Sequence, residues 1–274
     1  ARLRGASGKV EPVRDKQAIS AVLAVVAVVL GFVVLVNALT TPKSADATAS
    51  PETSASASTA SSSATASTSA TPTPTPTPSV LPGCNPVPAP QETPKRMTSA
   101  PDIDSARGKT FIATVTTNCG PITIELDGAK APATVSSFIL LAKEGYWAPS
   151  PCHRVTGDAE GIWVLQCGDP TGTGSGPGPG YHYGIENAPA DGKYPAGTVA
   201  MARTSDPNSN ADQFFITYKD TTLPVDGGGY SIFGKVTGGM DIVNRIAAAG
   251  VSPVDQMTPM APISILSVAV QAKG

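Results

Sequence analysis

The chain has 274 residues and a formal net charge of -2, so it lacks the excess of basic residues that is typical of nucleic-acid-binding proteins. Only 15 % of its residues are charged, while glycine and proline number 27 each, and these residues are unevenly distributed. This pattern indicates segments of different character rather than one uniform domain. The first segment, residues 1–17, is basic, and we expect it to be cytoplasmic and incomplete because it begins with alanine.

Residues 18–39 contain no charged side chain and are long enough to cross the hydrocarbon core of a bilayer as a helix. The basic flank before them favours a cytoplasmic N-terminus. We therefore predict a single-pass membrane anchor, with the rest of the chain outside the cytoplasm. The alternative is a secretory signal peptide that is cleaved among the small residues that follow Leu39.

Residues 40–100 are rich in serine, threonine, alanine and proline, and they include a Thr-Pro repeat at residues 71–78. Such a composition offers too little apolar surface to offset the entropy lost on folding. We expect a disordered linker, stiffer along the repeat, that acts as a tether across the cell envelope. The composition also permits a glycosylated stalk.

Residues 101–274 are the only part that can bury a sizeable core, and they have the length of one domain. Residues 110–128 alternate apolar and polar side chains on both sides of an Asn-Cys-Gly-Pro turn, which predicts an antiparallel hairpin. Residues 131–147 have helical spacing, with Pro132 near the start, and predict a helix of about 12 residues. Short β-rich runs and one further helical pattern follow, namely GIWVLQC, GTVAMA, QFFITY, YSIFGKV, GMDIVNRIAAAG and ISILSVAV. A mainly β antiparallel barrel or sandwich with two helices is therefore expected.

The sequence gives no reason to expect a metal or a cofactor. A zinc site needs three or four ligands, but the chain has only two histidines and no Cys-x-x-Cys motif. Residues 172–180 are glycine-rich without forming a phosphate-binding motif, so we interpret them as a turning loop. Ser175 within them lacks the strand–turn–helix context of a nucleophile elbow.

An even number of cysteines outside the cytoplasm suggests two disulfides, formed among Cys84, Cys119, Cys152 and Cys167. Cys152 and Cys167 flank a predicted hairpin. If Arg154 and Gln166 share one face of that hairpin, however, strand alternation places the two cysteines on opposite faces. The connectivity stays open among three possibilities, and free thiols are the alternative.

Three blocks of sequence together resemble the cyclophilin-type peptidyl-prolyl cis-trans isomerases: CHRV with GIWVLQCGDPTGTGSGPG, then GTVAMARTSDPNSNADQFFITY, then SIFGKVTGGMDIV. The resemblance covers roughly residues 110–269. With the anchor, linker and cysteines, the chain is similar to secreted or membrane-anchored forms from high-GC Gram-positive bacteria. The resemblance implies a closed eight-stranded antiparallel barrel with two helices. It also implies a monomer that isomerises X-Pro bonds in unfolded or flexible polypeptides.

The resemblance also implies which residues form the site. Arg154 corresponds to the catalytic arginine of the family, and Gln166 to the glutamine that orients it. The substrate-binding positions are Trp163, Val164, Ala202, Arg203, Thr204, Gln213, Phe215, Leu223 and Tyr230. These residue types suit the chemistry, because rotation about an X-Pro bond needs a stabilised twisted amide rather than a nucleophile or a metal. A guanidinium is permanently charged and can hydrogen-bond to that amide without any tuning of its pKa.

The chain departs from the family pattern around this site. The loop between Arg154 and Trp163 is longer than usual and contains Asp158 and Glu160, which form either an ordinary loop or a region that prefers basic peptides. Thr222 stands where the family usually has a tryptophan that contacts cyclosporin, so the resemblance implies weaker binding of that ligand here. Two alternatives to an enzyme follow: a proline-peptide-binding or chaperone module without turnover, and a structural envelope protein with a vestigial domain.

His153 is the conspicuous candidate for catalysis near pH 7. Adjacent residues of a strand point to opposite faces, so His153 and Arg154 cannot both line one pocket. If Arg154 faces the site, His153 points into the barrel. We interpret it there as a buried, hydrogen-bonded structural residue.

Overall fold

The computed structural model describes residues 80–274, and the hairpin expected at residues 110–128 is present in it. Strands β1 and β2 cover Thr110–Thr117 and Gly120–Asp127 and pair antiparallel from Thr110↔Asp127 to Thr117↔Gly120. Alternate side chains of both strands are buried, because every second residue faces the core. The prediction of this hairpin is therefore confirmed, including its turn.

The remaining strands are mostly short and extend the same sheet. They are β3 Ser150–Pro151, β4 Arg154–Val155, β5 Val164–Cys167, β6 Lys193–Tyr194, β7 Thr198–Met201, β8 Phe214–Thr217, β9 Thr221–Thr222, β10 Ile232–Gly238 and β11 Ser264–Ala272. Of the eleven strands within residues 80–274, nine form one antiparallel sheet in the order β3-β11-β1-β2-β10-β7-β8-β5-β4. The other two, β6 and β9, pair with each other. The fold is thus mainly β, as the sequence predicts.

The expected closed eight-stranded barrel is not the pattern that the strand pairing gives. The sheet has nine strands, and β3 and β4 are its two ends, with no ladder between them in the part of the chain that the structure describes. These ends are consecutive in the chain, separated only by Cys152 and His153. The sheet therefore curls, and its two edge strands, β3 and β4, come from one bent segment of the chain.

In the part of the chain that the structure describes, two α-helices lie where the sequence predicts them. Helix α1 covers Pro132–Lys143 and begins at a proline, which suits the first turn because it needs no amide hydrogen there. Glu186 accepts hydrogen bonds from the backbone amides of Ala133 and Thr134 and so caps this helix from a distant loop. Helix α2 covers Met240–Ala248 and buries three side chains, Ile242, Val243 and Ile246.

The main core lies between α1 and the sheet and is rich in aromatic side chains. Phe138 of α1 contacts Trp147 with ring centroids 4.7 Å apart and Phe233 with centroids 5.6 Å apart. Phe214 packs edge-on against Phe138. A smaller apolar cluster is separate from this core and consists of Val164, Tyr194, Ala200, Phe215 and Leu223. It lies on the other side of β5, β7 and β8, because adjacent residues of a strand face opposite sides.

All four cysteines are paired, as Cys84–Cys119 and Cys152–Cys167. The two predicted disulfides are therefore confirmed, and the connectivity is settled. Strand alternation places Cys152 and Cys167 on opposite faces only if the strand is continuous. The chain leaves strand geometry at Cys152 and His153, between β3 and β4, so the alternation is interrupted and the two sulfurs can meet.

Residues 80–100, here called the strap, hold defined positions against the domain, although the sequence-based boundary assigned them to the disordered linker. Pro94 is buried, and Leu81 and Met97 pack against the core. The disulfide and a set of backbone hydrogen bonds compensate for the low apolar content of the strap. The anchor predicted at residues 18–39 and the linker up to residue 79 lie outside the described residues. No helix within residues 80–274 is long and apolar enough to cross a membrane.

Candidate active site

The candidate catalytic residues Arg154 and Gln166 are direct partners across the β4–β5 ladder. Nη1 of Arg154 donates to Oε1 of Gln166 over 3.4 Å. Nε2 of Gln166 donates in turn to Oε1 of Gln213, which is 3.0 Å away beside the start of β8. Because a guanidinium can only donate, this orientation of the Gln166 amide is the one that satisfies both neighbours. The sequence-predicted pair is therefore brought together with Gln213 in one chain of hydrogen bonds.

The chain of hydrogen bonds continues into the glycine-rich loop, defined as residues 170–180. Nε2 of Gln213 donates to the carbonyl oxygen of Gly174 over 3.1 Å. Gly174 has a φ of +75°, and a Cβ there would lie 2.9 Å from Cδ2 of His153. Only glycine combines this backbone conformation with so close a contact. The sequence identified this stretch correctly as a turning loop, but no local pattern indicated that its carbonyl anchors the site.

A largely apolar cavity of about 120 Å³ opens beside the Arg154 guanidinium. Its walls come from the small apolar cluster together with the arginine and glutamine, and they are Arg154, Ile162, Val164, Gln166, Ala202, Arg203, Phe215, Leu223 and Tyr230. All of these residues except Ile162 are predicted site positions. The structure therefore brings most of the predicted site together around one cavity, with a cation and an amide at its border.

Trp163 does not line this cavity, although the resemblance places it among the substrate-binding positions. Ile162 lines the cavity instead. Val164 and Gln166 face the cavity, so residues of the same parity share their face and the odd-numbered Trp163 points away. Its Nε1 donates to Oδ1 of Asp158 over 2.8 Å. The parity of this run is the signal that could have identified Ile162 from the sequence.

The longer loop before Trp163 is held by its own contacts. Nζ of Lys219 lies 3.7 Å from Oδ1 of Asp158 and 5.3 Å from the centroid of the Trp163 ring. The hydrogen bond from Trp163, followed by the charge of Lys219, lowers the pKa of the Asp158 carboxyl. Glu160 accepts a hydrogen bond from the backbone amide of Gly157. Both carboxylates thus have partners within the domain, which favours an ordinary loop over a region that recruits basic peptides.

Arg203 lies between the first cavity and a second, more polar one of about 170 Å³. The Arg203 guanidinium donates to the backbone carbonyls of Gly229, Thr204 and Asp226 over 2.7, 2.8 and 3.2 Å. Its central carbon also lies 5.0 Å from the centroid of the Tyr230 ring. Arg203 therefore fixes the rim of both cavities, while Thr204 borders only the second.

His153 is buried, as expected, but its hydrogen bonding differs from the expectation. Neither ring nitrogen has a hydrogen-bond partner within residues 80–274. The ring packs against Gly174 of the glycine-rich loop. Burial lowers the pKa of His153, and the nearby charge of Arg154 acts in the same direction, against that of Asp169. A neutral imidazole beneath the loop supports a packing role and not proton transfer.

Asp212 is a buried carboxyl that the sequence did not single out. It lies next to Gln213, is 5 % exposed and accepts a hydrogen bond of 2.6 Å from the Tyr146 hydroxyl. Burial raises its pKa to about 6, although the Tyr146 hydrogen bond opposes the rise. The second cavity therefore has an aspartate in its wall that titrates near pH 6.

Comparison with known proteins agrees with this geometry. The family described as "Cyclophilin type peptidyl-prolyl cis-trans isomerase/CLD" matches residues 112–270. A Mycobacterium leprae protein named "Probable peptidyl-prolyl cis-trans isomerase B" is 36 % identical over 170 residues, which are 58 % of this chain and 56 % of that relative. The Streptomyces antibioticus "Peptidyl-prolyl cis-trans isomerase cyp18" is 35 % identical over 161 residues, covering 55 % of this chain and 93 % of that protein.

A solved structure is similar as well. The Cryptosporidium parvum cyclophilin type peptidyl-prolyl cis-trans isomerase, crystallised in the presence of the dipeptide Ala-Pro, is 30 % identical with a TM-score of 0.50. The similarity covers 59 % of this chain and 99 % of that structure. The chain spans about half the length of the mycobacterial relatives that it matches. The family match covers more than half of the present sequence, and the chain belongs to the cyclophilin-type peptidyl-prolyl cis-trans isomerase family.

Proposed function

We propose that this protein catalyses the cis–trans isomerisation of X-Pro bonds in polypeptides. The observation that supports the proposal most strongly is the Arg154 guanidinium, which Gln166 holds at the edge of an apolar cavity. A proline ring is small and apolar and suits such a cavity. The related structure obtained in the presence of Ala-Pro points to the same class of ligand.

The chemistry requires only that the site favour the twisted amide over the planar one. The barrier of about 18–20 kcal/mol comes from amide resonance, which is lost when the bond rotates. Arg154 would donate hydrogen bonds to the prolyl amide as its nitrogen becomes pyramidal and more basic, which stabilises the twisted state selectively. Phe215 and Leu223 would hold the proline ring, while Gln213 would fix the flanking backbone. No covalent intermediate and no proton transfer are needed.

We also propose that the enzyme acts outside the cytoplasm, as a monomer tethered to the membrane by residues 18–39. Two disulfides favour an oxidising compartment, since cytosolic proteins rarely keep them. The uncharged stretch at residues 18–39 supports an anchor, and a cleaved signal would lead to the same compartment. The clients would be unfolded or flexible secreted chains. The proposal also includes similarity to the membrane-anchored forms from high-GC Gram-positive bacteria. It further includes closure of the curled sheet into a barrel, which the resemblance implies.

A proline-limited refolding assay tests the activity directly. The wild-type chain should accelerate the slow phase of a substrate protein whose refolding waits for a non-native prolyl isomer. Arg154→Ala should lose most of this acceleration while keeping its thermal transition. Glu92→Ala, an exposed change in the strap, serves as the matched control and should be as active as wild type. Equal inactivity of the wild-type chain and Arg154→Ala would contradict the proposal.

The second candidate is a proline-peptide-binding module with negligible turnover. It is favoured by the rim of the cavity, where Trp163 points away and Thr222 is exposed, so fewer aromatic groups can clamp the substrate. NMR shifts of the protein on addition of a proline peptide, without enhanced exchange between the cis and trans peptide signals, would support binding alone.

A further inference from the structure

The strap crosses the glycine-rich loop and binds both ends of it. The backbone amide of Gln91 donates to the carbonyl of Pro170 over 2.9 Å, and that of Met97 donates to Pro179 over 2.7 Å. Between them, Nη1 of Arg96 lies 3.4 Å from the carbonyl oxygen of Pro177. The strap therefore holds the first residue of the loop and the residues near its end.

The strap can fix the loop because the strap itself is fixed to the rest of the domain. At its start, the Cys84–Cys119 disulfide joins it to the turn between β1 and β2. In its middle, Nε2 of Gln91 donates to the carbonyls of Tyr146 and Pro149 over 2.8 and 2.9 Å. Gln91 thus makes three hydrogen bonds, two to the segment after α1 and one to the loop.

The loop needs such external contacts because it has few side chains to pack. Its sequence, PTGTGSGPGPG, is mostly glycine and proline, and glycine loses the most conformational freedom when a chain is ordered. From inside, the Asp169 carboxylate accepts hydrogen bonds from the amides of Thr171 and Gly176 over 2.9 and 3.1 Å. From outside, the strap donates the hydrogen bonds to the carbonyls at the two ends of the loop, as far as the structure describes the chain.

The position of the loop matters for the site through a single carbonyl group. Gly174 lies in the middle of the loop and accepts the hydrogen bond from Gln213. Gln213 accepts from Gln166, which in turn accepts from the Arg154 guanidinium. A displaced loop would leave the Gln213 amide without its anchor and would loosen the orientation of the Gln166 amide.

We propose that the strap is a positioning element of the active site and that Gln91 is its principal positioning residue. The Gln91 side chain fixes the strap to the carbonyls of Tyr146 and Pro149, and its backbone amide then holds the start of the glycine-rich loop at Pro170. The loop in turn keeps the Gly174 carbonyl where it orients Gln213 and, through Gln166, the guanidinium of Arg154. This inference rests on the proposed function for its effect on rate. Its structural part, the coupling from the strap to the site amides, stands independently of turnover.

The test uses full-length variants at two adjacent strap positions. Gln91→Glu keeps the size of the side chain but removes both donors, and Gln91→Ala removes the side chain. Glu92→Ala is the matched control, because Glu92 is the exposed neighbour with no side-chain hydrogen bond among the described contacts. Three quantities are measured: the side-chain amide signals of Gln166 and Gln213 by ¹⁵N NMR, the values of kcat and KM on an Ala-Pro peptide, and the urea midpoint.

Both Gln91 variants should shift the Gln213 side-chain amide signals, whereas Glu92→Ala should not. We expect kcat/KM to fall about threefold to tenfold, mainly through kcat, because the apolar cavity is intact while the donor is misplaced. Unchanged Gln166 and Gln213 amide signals in both Gln91 variants would overturn the inference. If the urea midpoint is lower at the same time, the strap has a structural role only. If the wild-type chain has no activity, the proposed function fails, and the amide signals still decide whether the coupling exists.

Discussion

Asp212 should make the stability of this protein depend on pH in an unusual direction. The carboxyl is 5 % exposed, and burial raises its pKa from 3.8 to about 6. The folded state therefore holds the proton more tightly than the unfolded state. The stability that this proton contributes is present below about pH 4 and is lost as the pH rises through about 6. Carboxylates that are paired with a cation or accept several hydrogen bonds act in the opposite direction, because these partners lower their pKa.

The magnitude follows from the two pKa values. A rise from 3.8 to about 6 corresponds to about 3 kcal/mol of free energy, which the ionised Asp212 costs the folded state at pH 7. Asp212→Asn removes the charge and keeps an acceptor for the Tyr146 hydroxyl. Relative to wild type, the variant should therefore gain up to about 3 kcal/mol of unfolding free energy between pH 4 and pH 7.5.

Urea denaturation of both proteins at steps of pH measures this difference. Because His153 is present in both proteins, its own titration cancels in the comparison. Tyr146→Phe is a second check, since losing the hydroxyl that lowers the pKa of Asp212 should move the transition to higher pH. A difference between Asp212→Asn and wild type that is equal at pH 4 and pH 7.5 would refute the reasoning.

Three further predictions concern the cavity, the loop and the strap. Ile162→Ala should weaken binding of an Ala-Pro peptide, whereas Trp163→Ala should leave its KM nearly unchanged, because only Ile162 lines the cavity; equal effects in peptide titrations would contradict this assignment. Gly174→Ala should lower the unfolding free energy by about 1–2 kcal/mol, since φ is +75° and its Cβ would meet the His153 ring; an unchanged urea midpoint would argue against the described loop. Cys84→Ser should lower the unfolding free energy by about 3–4 kcal/mol, because its disulfide joins residues 35 positions apart. Calorimetry under oxidising conditions measures this loss, and an unchanged transition would contradict an ordered strap.

Local patterns predicted most of the fold. The hairpin of β1 and β2 and the helix Pro132–Lys143 are encoded within short stretches, by alternation and by helical spacing, and both are confirmed. The closed eight-stranded barrel stays a prediction, because the strand pairing gives a nine-stranded sheet whose two ends lie on either side of a bend at Cys152 and His153. Such a bend breaks strand alternation, and nothing in the local pattern marks it.

The sequence predicted the part of the site that lies on the β4–β5 strand pair, and it predicted the remaining parts less well. Arg154 and Gln166 were placed together by resemblance, and the structure pairs them across one ladder. The order of the strap could not be read from its composition, because a disulfide and hydrogen bonds to distant carbonyls stabilise it instead of apolar burial. The raised pKa of Asp212 has a similar origin, since it depends on what covers the carboxyl in three dimensions.

The most direct test of the account is the rate of cis–trans exchange of an Ala-Pro peptide in the presence of the full chain, measured by NMR exchange spectroscopy. The wild-type chain should add a catalysed exchange rate, Arg154→Lys should retain only a small part of it because the planar fork is lost, and Arg154→Ala should retain almost none. His153→Gln should stay active wherever it remains folded. Exchange that is catalysed equally by wild type and Arg154→Ala would contradict the central claim, as would a folded His153→Gln variant without activity.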